Sequence, residues 1–299
     1  MRCVGIDLGG TAIKAGAVTP AGEILARGSR ATGLEKGAAH VLDTIAELAR
    51  ELGAQGGLGL GVPGLVDHAR GRIESCPNLK VMERLPLREE LARRLSFDPA
   101  RIVLENDANA AAAGEHWLGT GRGERDLLLV TLGTGVGGGL ILDGKLYVGR
   151  GGMAGEIGHV VVEPGGRACG CGAKGCVETL ASATAAARRA RELGLPRGNP
   201  GDLVELARLA RASDGPEREL LLAVGRDLGY ALATVVSLLD VRTFVIGGGF
   251  GAATDVLAPG VLAGIRARSY GERLADVRGR PALLGADAGW IGAAAPLAR

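Results

Sequence analysis

The sequence predicts an α/β protein made of two related halves, and three observations support this prediction. Short apolar runs alternate with helical patterns along the 299 residues, as in sheets covered by helices. A glycine-rich loop follows an apolar strand twice, at 7–11 and at 133–139. In both places the next element is again strand-like, so we expect each half to open with a β-hairpin.

The first half is predicted to contain five strands and three helices. Apolar runs predict strands at 3–10, 12–18, 22–28, 58–67 (broken at Pro63–Gly64) and 101–107. Residues 19–22 form the turn of a hairpin. Apolar positions at helical spacing predict helices at 36–52 and 85–95, and a third helix begins near Asn106.

The second half repeats this order and adds helices. Residues 126–149 predict three strands, the last two joined by an Asp143–Gly144 turn of the type favoured in hairpins. Helices are predicted at 181–193, 202–213, 217–239 and 254–268. A strand at 242–251 runs into three glycines, and a short strand at 281–287 precedes a terminal helix.

Composition describes an ordinary globular protein. Charged residues make up 23% and hydrophobic residues 46% of the chain, and the net charge is +2 without a basic block. These values predict no binding to nucleic acid or to a membrane surface. No run reaches the roughly 18 apolar residues of a membrane span, and Asp7 interrupts the region where a signal peptide would need an apolar run. We therefore expect a cytoplasmic protein.

The glycine clusters are candidate binding loops, each with a plain alternative. Asp7, Gly9, Gly10, Thr11 and Lys14 would let backbone N–H groups approach an anion, or they form an ordinary hairpin. Gly133–Gly139 contains G-x-G-x-x-G, but a hairpin follows instead of the helix that a dinucleotide site requires. Leu146 follows Lys145 where a P-loop needs Ser or Thr. Gly247–Gly249 would suit a flat ligand such as adenine, or a tight turn.

Glu105, Asn106 and Asp107 end a strand and open a helix. Asn and Asp are favoured helix caps. A carboxylate at the carboxyl end of a strand also suits a catalytic base that faces a cleft. Because two polar side chains are available, both roles can coexist.

A cysteine cluster predicts a zinc site. His159, Cys169, Cys171 and Cys176 supply four ligands, with glycines between the cysteines that let the chain fold around one ion. A site with four protein ligands leaves no position for water, so we expect structural zinc. Such clustering also favours a reducing compartment. Cys3 and Cys76 stand apart and are predicted to be small core residues.

Together these motifs resemble the ROK family (repressor, open reading frame, kinase), and within it the bacterial ATP-dependent glucokinases. The resemblance covers essentially the whole chain. It rests on DLGGT at 7–11, GVPG at 61–64, PNL at 77–79, END at 105–107, GTGVGGG at 133–139, EIGH at 156–159, CGCGAKGCVE at 169–178 and IGGG at 246–249. It implies the actin-like, hexokinase-like ATPase fold, with ATP and sugar in a cleft between two α/β domains. Residues 1–115 and a C-terminal helix at 287–299 would form the smaller domain, and residues 116–286 the larger.

The resemblance also implies roles for single residues. Asp107 is similar to the general base that takes the proton of the sugar 6-hydroxyl. The implied sugar ligands are Gly64, Asn78, Asn106, Asp107, Glu156, His159 and Glu178. Asp7 would hold Mg²⁺, and the implied ATP contacts are Gly9, Gly10, Thr11, Lys14, Gly133, Thr134, Gly135, Gly137, Gly138, Gly247, Gly248 and Gly249. His159 would ligate zinc with one ring nitrogen and donate to a sugar hydroxyl with the other.

Several functions fit this resemblance. Glucose is the expected acceptor, and N-acetylglucosamine or N-acetylmannosamine kinases share the same motifs. A sugar-sensing repressor would carry a helix-turn-helix domain ahead of the first loop, which here begins at residue 7. Polyphosphate is a third possibility as donor, although such enzymes of the family lack the cysteine cluster. The family also implies a homodimer or homotetramer.

Overall fold

Two five-stranded sheets form the frame of the protein, in a computed structural model that describes residues 2–55, 57–76, 78–195, 203–270 and 276–298. The first sheet contains β1 (Cys3–Leu8), β2 (Ala12–Val18), β3 (Ile24–Ala31), β4 (Leu58–Val62) and β7 (Ile102–Asn106). A separate hairpin contains β5 (Leu65–Asp67) and β6 (Arg72–Ser75). The second sheet contains β8 (Leu127–Leu132), β9 (Val136–Leu142), β10 (Lys145–Leu146), β11 (Thr243–Gly247) and β12 (Arg278–Pro281).

Both sheets have the same strand order and the same strand directions. The first runs β3-β2-β1-β4-β7 and the second β10-β9-β8-β11-β12. In each sheet the first three strands of the half pair antiparallel, and the other two add in parallel. The opening strands also share one burial pattern, in which only the fifth residue, Asp7 or Thr131, is not fully buried. The prediction of two related α/β halves is confirmed.

Helices cover these sheets close to the predicted positions. They are α1 (Ala38–Glu51), α2 (Leu87–Leu95), α3 (Asp107–Leu118), α4 (Glu178–Ala181), α5 (Ala183–Glu192), α6 (Leu203–Ala212), α7 (Pro216–Leu239), α8 (Thr254–Arg268) and α9 (Ala288–Ala294). Ser182 separates α4 from α5 because its Oγ accepts the Ala185 N–H at 3.1 Å and so caps α5. Pro77, residue 202 and Arg299, each part of a predicted motif, helix or domain, lie outside the described residues.

Helices α3 and α9 lie at the centre of the molecule. Helix α3 packs on β8 and β9, α9 packs on β1 and β4, and the two helices pack on each other. Glycine permits this contact, since an added Cβ at Gly292 would lie 1.6 Å from the Ala110 carbonyl oxygen. The packing of α9 on the first sheet supports grouping residues 287–299 with residues 1–115. The domain boundaries themselves stay a prediction.

The strand predicted at 281–287 is wrong. The observed strand, β12, spans Arg278–Pro281 and pairs in parallel with β11 at the sheet edge. Ala282 still donates its N–H to the Ile246 carbonyl oxygen of β11. The chain then leaves the sheet, and Leu283 and Leu284 donate their backbone N–H groups to the Glu115 carboxylate. The apolar run therefore lies where the chain leaves the sheet. The edge strand itself contains Arg278 and Arg280, so the hydrophobic pattern does not predict it.

Helix α7 meets the length and composition of a membrane span, although its surroundings are protein. In its most apolar window, 56% of the residues are buried inside the molecule. It packs along α8, where an added Cβ at Gly229 would lie 2.2 Å from the Val261 carbonyl oxygen. Core helices of soluble proteins pass the same test of length and composition.

Candidate active site

A pocket of about 420 Å³ lies between the two halves, a size typical of small-molecule sites. Both opening hairpins, α3, the glycines after β11 and the start of α9 contribute to its wall. The lining includes six residues predicted to bind ATP or to act in catalysis, namely Asp7, Lys14, Asp107, Gly247, Gly248 and Gly249. The structure thus brings these six residues from three separate parts of the sequence to one pocket.

Asp107 is the first residue of α3 and is largely buried in this pocket. Burial, together with the charges of Asp7 and Glu156, raises the pKa of its carboxyl group to about 6. The Ala108 N–H, 2.8 Å from Asp107 Oδ1, opposes this shift. A carboxylate with a pKa near neutrality suits proton transfer at physiological pH.

Asp7 lies opposite Lys14 in the β1–β2 hairpin. Burial raises the pKa of Asp7, and the positive charge of Lys14 opposes the increase. With Asp107 this makes two partly buried carboxyl groups in one pocket and a single lysine among its lining residues. Such a pair favours a bound cation, because a cation would offset the charge that burial disfavours.

The turns of the two hairpins form beside this pocket but do not line it. Gly9, Gly10, Thr11, Gly133, Thr134 and Gly135 are absent from the pocket lining. Gly10 and Gly133 face open space, where an added Cβ would meet no atom within 4 Å among the described residues. Gly137 lies beside the lining residues, since a Cβ there would be 2.7 Å from Thr131 Oγ1, whereas Gly138 packs on the Gly155 carbonyl oxygen. The backbone at Gly10 and at Gly133 is therefore open to an approaching ligand.

Apart from Asp107, none of the residues predicted to bind sugar lines this pocket. Asn106 caps α3, since its Oδ1 accepts the Ala108 and Asn109 N–H groups at 2.9 and 3.1 Å. Its Nδ2 donates to the Gly64 carbonyl oxygen at 3.0 Å. Gly64 has a φ of 86° and packs on Cys76, two residues before the exposed Asn78. The predicted capping role and the predicted position beside the base thus coexist.

The four residues of the cysteine cluster lie close enough together to hold one metal ion. One ligand atom from each of His159, Cys169, Cys171 and Cys176 lies within 4.8 Å of every other. His159 Nδ1 is 3.6 Å from Cys169 Sγ, and the Sγ atoms of Cys171 and Cys176 are 3.6 Å apart. Tetrahedral zinc with sulfur and nitrogen ligands separates neighbouring ligand atoms by about 3.5–3.8 Å. The donor set therefore fits zinc, and Cys3 and Cys76 lie apart in the core at 1% exposure each.

Two carboxylates connect the cluster to the rest of the site. Glu178 Oε2 accepts the Val136 N–H at 3.1 Å, and its Oε1 is 3.5 Å from Cys169 Sγ. Glu156 Oε2 is 3.9 Å from His159 Nε2. The imidazole ring therefore directs Nδ1 toward Cys169 and Nε2 toward Glu156. Glu178 thus joins the cysteine cluster to the second glycine loop.

Several residues of the site escaped the sequence analysis. Thr131, Glu115 and Gly289 line the pocket. Thr131 holds the position in β8 that Asp7 holds in β1, so an alignment of the two halves could have found it. Glu115 follows Asp107 by eight residues on the same helical face, a spacing that could also have been read from the sequence.

Comparison with known proteins agrees with this architecture. The profile of the ROK family matches residues 3–299. A glucokinase of Thermotoga maritima is 38% identical over 86% of this chain and 84% of its own length. An N-acetylmannosamine kinase of Pasteurella multocida is 34% identical over 86% of this chain and 84% of its own length.

Solved structures show the same fold. A ROK hexokinase from Thermus thermophilus superposes with a TM-score of 0.84 at 38% identity and covers 99% of this chain and 97% of its own. A ROK family glucokinase from Streptomyces griseus, in complex with glucose and AMPPNP, has a TM-score of 0.81 at 34% identity and covers 98% of each chain. The predicted actin-like, hexokinase-like ATPase fold is confirmed, and the chain belongs to the ROK family.

Proposed function

We propose that the protein is an ATP-dependent sugar kinase, a glucokinase, which transfers the γ-phosphoryl group of ATP to the 6-hydroxyl of glucose. The observation that carries this proposal is the buried Asp107 at the start of α3, with a pKa of about 6, in a pocket shared by both halves. The glucokinase names of the relatives agree with it.

Asp107 acts as the general base in this proposal. Its carboxylate accepts the proton of the 6-hydroxyl as the oxygen attacks the γ-phosphorus, and ADP leaves on the opposite side. Phosphoryl transfer depends on positioning and charge neutralisation more than on covalent help. The fixed start of α3 meets the first need, because Asn106 and Asp107 both accept backbone N–H groups of that helix.

The ATP side is assigned to the glycine loops and the first hairpin. Mg²⁺ would neutralise the phosphate charge, with Asp7 as its protein ligand, directly or through water. Lys14 and the backbone at Gly9, Gly10, Thr11 and at Gly133, Thr134, Gly135, Gly137 and Gly138 would surround the phosphates. Gly247, Gly248 and Gly249 would lie against the adenosine. The pocket lining supports the assignment for Asp7, Lys14 and the last three glycines.

The sugar side is assigned to polar groups on both sides of Asp107. Glu156, His159 and Glu178 would bind sugar hydroxyls from the second half, and Gly64, Asn78 and Asn106 from the first. A hydroxyl-rich ligand needs several fixed partners, because each unpaired polar group costs affinity. The 3.0 Å bond from Asn106 to Gly64 supports a preformed sugar pocket.

Structural Zn²⁺ completes the proposal. His159, Cys169, Cys171 and Cys176 would hold it, and the ion would keep the neighbouring Glu156 and Glu178 in place. Burial, assisted by the thiols of Cys171 and Cys176, raises the pKa of Cys169 to about 12. The backbone N–H of Ala173 instead lowers the pKa of Cys171. A bound cation would favour the thiolate form of all three cysteines.

An N-acetylglucosamine or N-acetylmannosamine kinase is the second candidate, because the Pasteurella multocida relative is named an N-acetylmannosamine kinase at similar coverage. The regulatory alternative has weaker support, because an N-acetylglucosamine repressor of Escherichia coli O6:H1 is 33% identical over 75% of this chain but only 55% of its own length is covered. Polyphosphate as the donor is assayed in the same panel as the sugars. The cytoplasmic location and a homodimer or homotetramer remain predictions.

A sugar panel tests these proposals. Glucose, N-acetylglucosamine, N-acetylmannosamine, fructose and allose would be assayed with Mg-ATP through coupled ADP release, and glucose with polyphosphate in parallel. We expect the highest kcat/KM for glucose and ATP. Absence of turnover on every hexose would refute the kinase, and a preference for an N-acetylated sugar would support the second candidate. Asp107→Asn serves as the inactive control, with glucose binding retained.

A further inference from the structure

The carboxylate of Glu105, the residue before Asn106, contacts three other residues. Its side chain is 16% exposed. Oε1 accepts the Asn106 backbone N–H at 2.9 Å and the Asn109 Nδ2–H at 3.0 Å. Oε2 lies 3.2 Å from His68 Nε2. One carboxylate thus joins the end of β7, the first turn of α3 and a residue of a different hairpin.

His68 belongs to the turn between β5 and β6 and is fixed from two sides. Arg88 donates to its carbonyl oxygen at 2.7 Å, which anchors the backbone. Its ring nitrogen meets Glu105, and this hydrogen bond raises the pKa of His68, although partial burial opposes the increase. Because an ionised carboxylate only accepts hydrogen bonds, His68 donates to Glu105 through Nε2 whether its imidazole is neutral or protonated.

The same turn contacts the second half of the molecule. Gly152 has a φ of 75°, and an added Cβ there would lie 2.9 Å from the Val66 carbonyl oxygen and 3.8 Å from two atoms of the His68 ring. The backbone at residue 152 therefore passes directly over His68. Four residues later the same segment reaches Glu156, which the proposed function assigns to the sugar.

Asn106 connects to this hairpin region independently, through its bond to Gly64. Residues 64–68 thus hold the strand–helix junction at two points, Asn106 and Glu105. The Nδ2 of Asn109 donates to Glu105, and its Oδ1 has no hydrogen-bond partner among the described residues. The orientation of the Asn109 side chain therefore depends on Glu105. The orientation of the first turn of α3, which begins with Asp107, follows from these bonds.

We propose that His68 and Glu105 are positioning residues that hold the start of α3 against the β5–β6 turn and beneath the segment leading to Glu156. This inference rests on the proposed function, since it takes Asp107 as the base and Glu156 as a sugar ligand. Neither His68 nor Glu105 lines the ATP pocket. Their contribution therefore concerns the sugar and the transfer step, and leaves ATP binding unchanged.

Steady-state kinetics on glucose and Mg-ATP test the inference with His68→Ala, His68→Gln and Glu105→Gln. Gln at position 68 keeps a donor toward Glu105, and Gln at position 105 keeps the shape of the side chain. Arg70→Ala is the matched control, because Arg70 lies in the same turn with a 69% exposed side chain that pairs with Asp67. Thermal unfolding is measured for every variant.

We expect His68→Ala and Glu105→Gln to lower kcat about tenfold, as small displacements of reacting groups do. The KM for glucose rises, and the KM for ATP stays within about twofold. His68→Gln and Arg70→Ala retain most of the activity. The inference is overturned if folded His68→Ala keeps its kcat, if the KM for ATP rises as much as that for glucose, or if Arg70→Ala is equally impaired. Inactivity of the unaltered protein on every hexose would instead refute the proposed function.

Discussion

Gly289, the second residue of α9, packs directly on the carboxyl group of Asp7. An added Cβ at position 289 would lie 2.8 Å from both Cγ and Oδ2 of Asp7. The two residues are 282 positions apart in the chain, and both line the pocket. The C-terminal helix thus determines where this carboxylate can point.

Gly289→Ala should therefore impair catalysis more than stability. The new methyl group would displace the Asp7 carboxylate, and with it the proposed Mg²⁺ ligand. We expect kcat to fall by about tenfold or more and the Mg²⁺ concentration at half-maximal rate to rise. Gly279→Ala is the control, because among the described residues a Cβ there would meet only Ile246 Cδ1, at 4.0 Å. If Gly289→Ala keeps the Mg²⁺ dependence of the unaltered protein, the contact between Gly289 and Asp7 does not position a Mg²⁺ ligand.

The pKa of Asp107 predicts the acidic limb of the pH profile. Because the base must be deprotonated, kcat/KM should be constant above about pH 7 and fall tenfold per pH unit below the pKa of about 6. Bound Mg²⁺ near Asp7 would lower this pKa, so the limb of kcat should lie at lower pH than that of kcat/KM. A pH series at constant ionic strength measures the acidic limbs of kcat and of kcat/KM. A limb of kcat/KM near pH 4 would show that the pKa of the Asp107 carboxyl group is not raised.

Asp107→Asn should stabilise the protein at neutral pH while it abolishes transfer. A carboxyl group whose folded pKa lies above its unfolded value of 3.8 destabilises the folded state increasingly as the pH rises from the unfolded to the folded value; the cost is complete above the folded pKa and absent well below the unfolded one. A shift to about 6 corresponds to at most about 3 kcal/mol. Chemical denaturation at pH 7.5 and pH 4.5 should show a clearly larger gain for the variant at the higher pH. An equal effect at both values would point to a packing change instead.

Zinc removal should damage sugar binding before ATP binding. The cluster adjoins Glu156 and Glu178, whereas none of its four ligands lines the ATP pocket. Cys171→Ser removes an exposed ligand, and we expect loss of one bound zinc by elemental analysis and a KM for glucose raised about tenfold or more. Cys3→Ala is the control for zinc content. Parallel loss of glucose and ATP affinity would show that the ion only holds the domain together.

The sequence predicted the fold well because its local signals agree with the tertiary structure. Glycine loops followed by strands, and ligand spacing in the cysteine cluster, are properties of short segments. Contacts such as Gly289 with Asp7, or His68 with Glu105, join elements that the pattern cannot place side by side. The prediction of the edge strand β12 was wrong for a related reason. Its pairing with β11 outweighs the polarity of Arg278 and Arg280, and the sequence pattern does not show this pairing.

Glu115 offers the complementary test on the ATP side. It is fully buried, and its carboxylate accepts the backbone N–H groups of Thr120, Leu283 and Leu284 at 2.9, 3.2 and 2.7 Å. In Glu115→Gln an amide NH₂ would face one of these donors, and each buried N–H left unpaired costs about 1–3 kcal/mol. Unfolding should therefore occur at lower temperature.

The kinetic effect of Glu115→Gln should be confined to the nucleotide. The segment after Leu284 lines the same pocket as Gly247–Gly249, so its displacement should raise the KM for ATP several-fold while the KM for glucose stays constant. Glu51→Gln is the control, because Glu51 pairs with Arg30 on the surface and is 55% exposed. If folded Glu115→Gln binds ATP normally, the carboxylate only joins α3 to the second sheet. A raised KM for ATP would instead show that the helix carrying the base at its first residue also supports the nucleotide wall near its end.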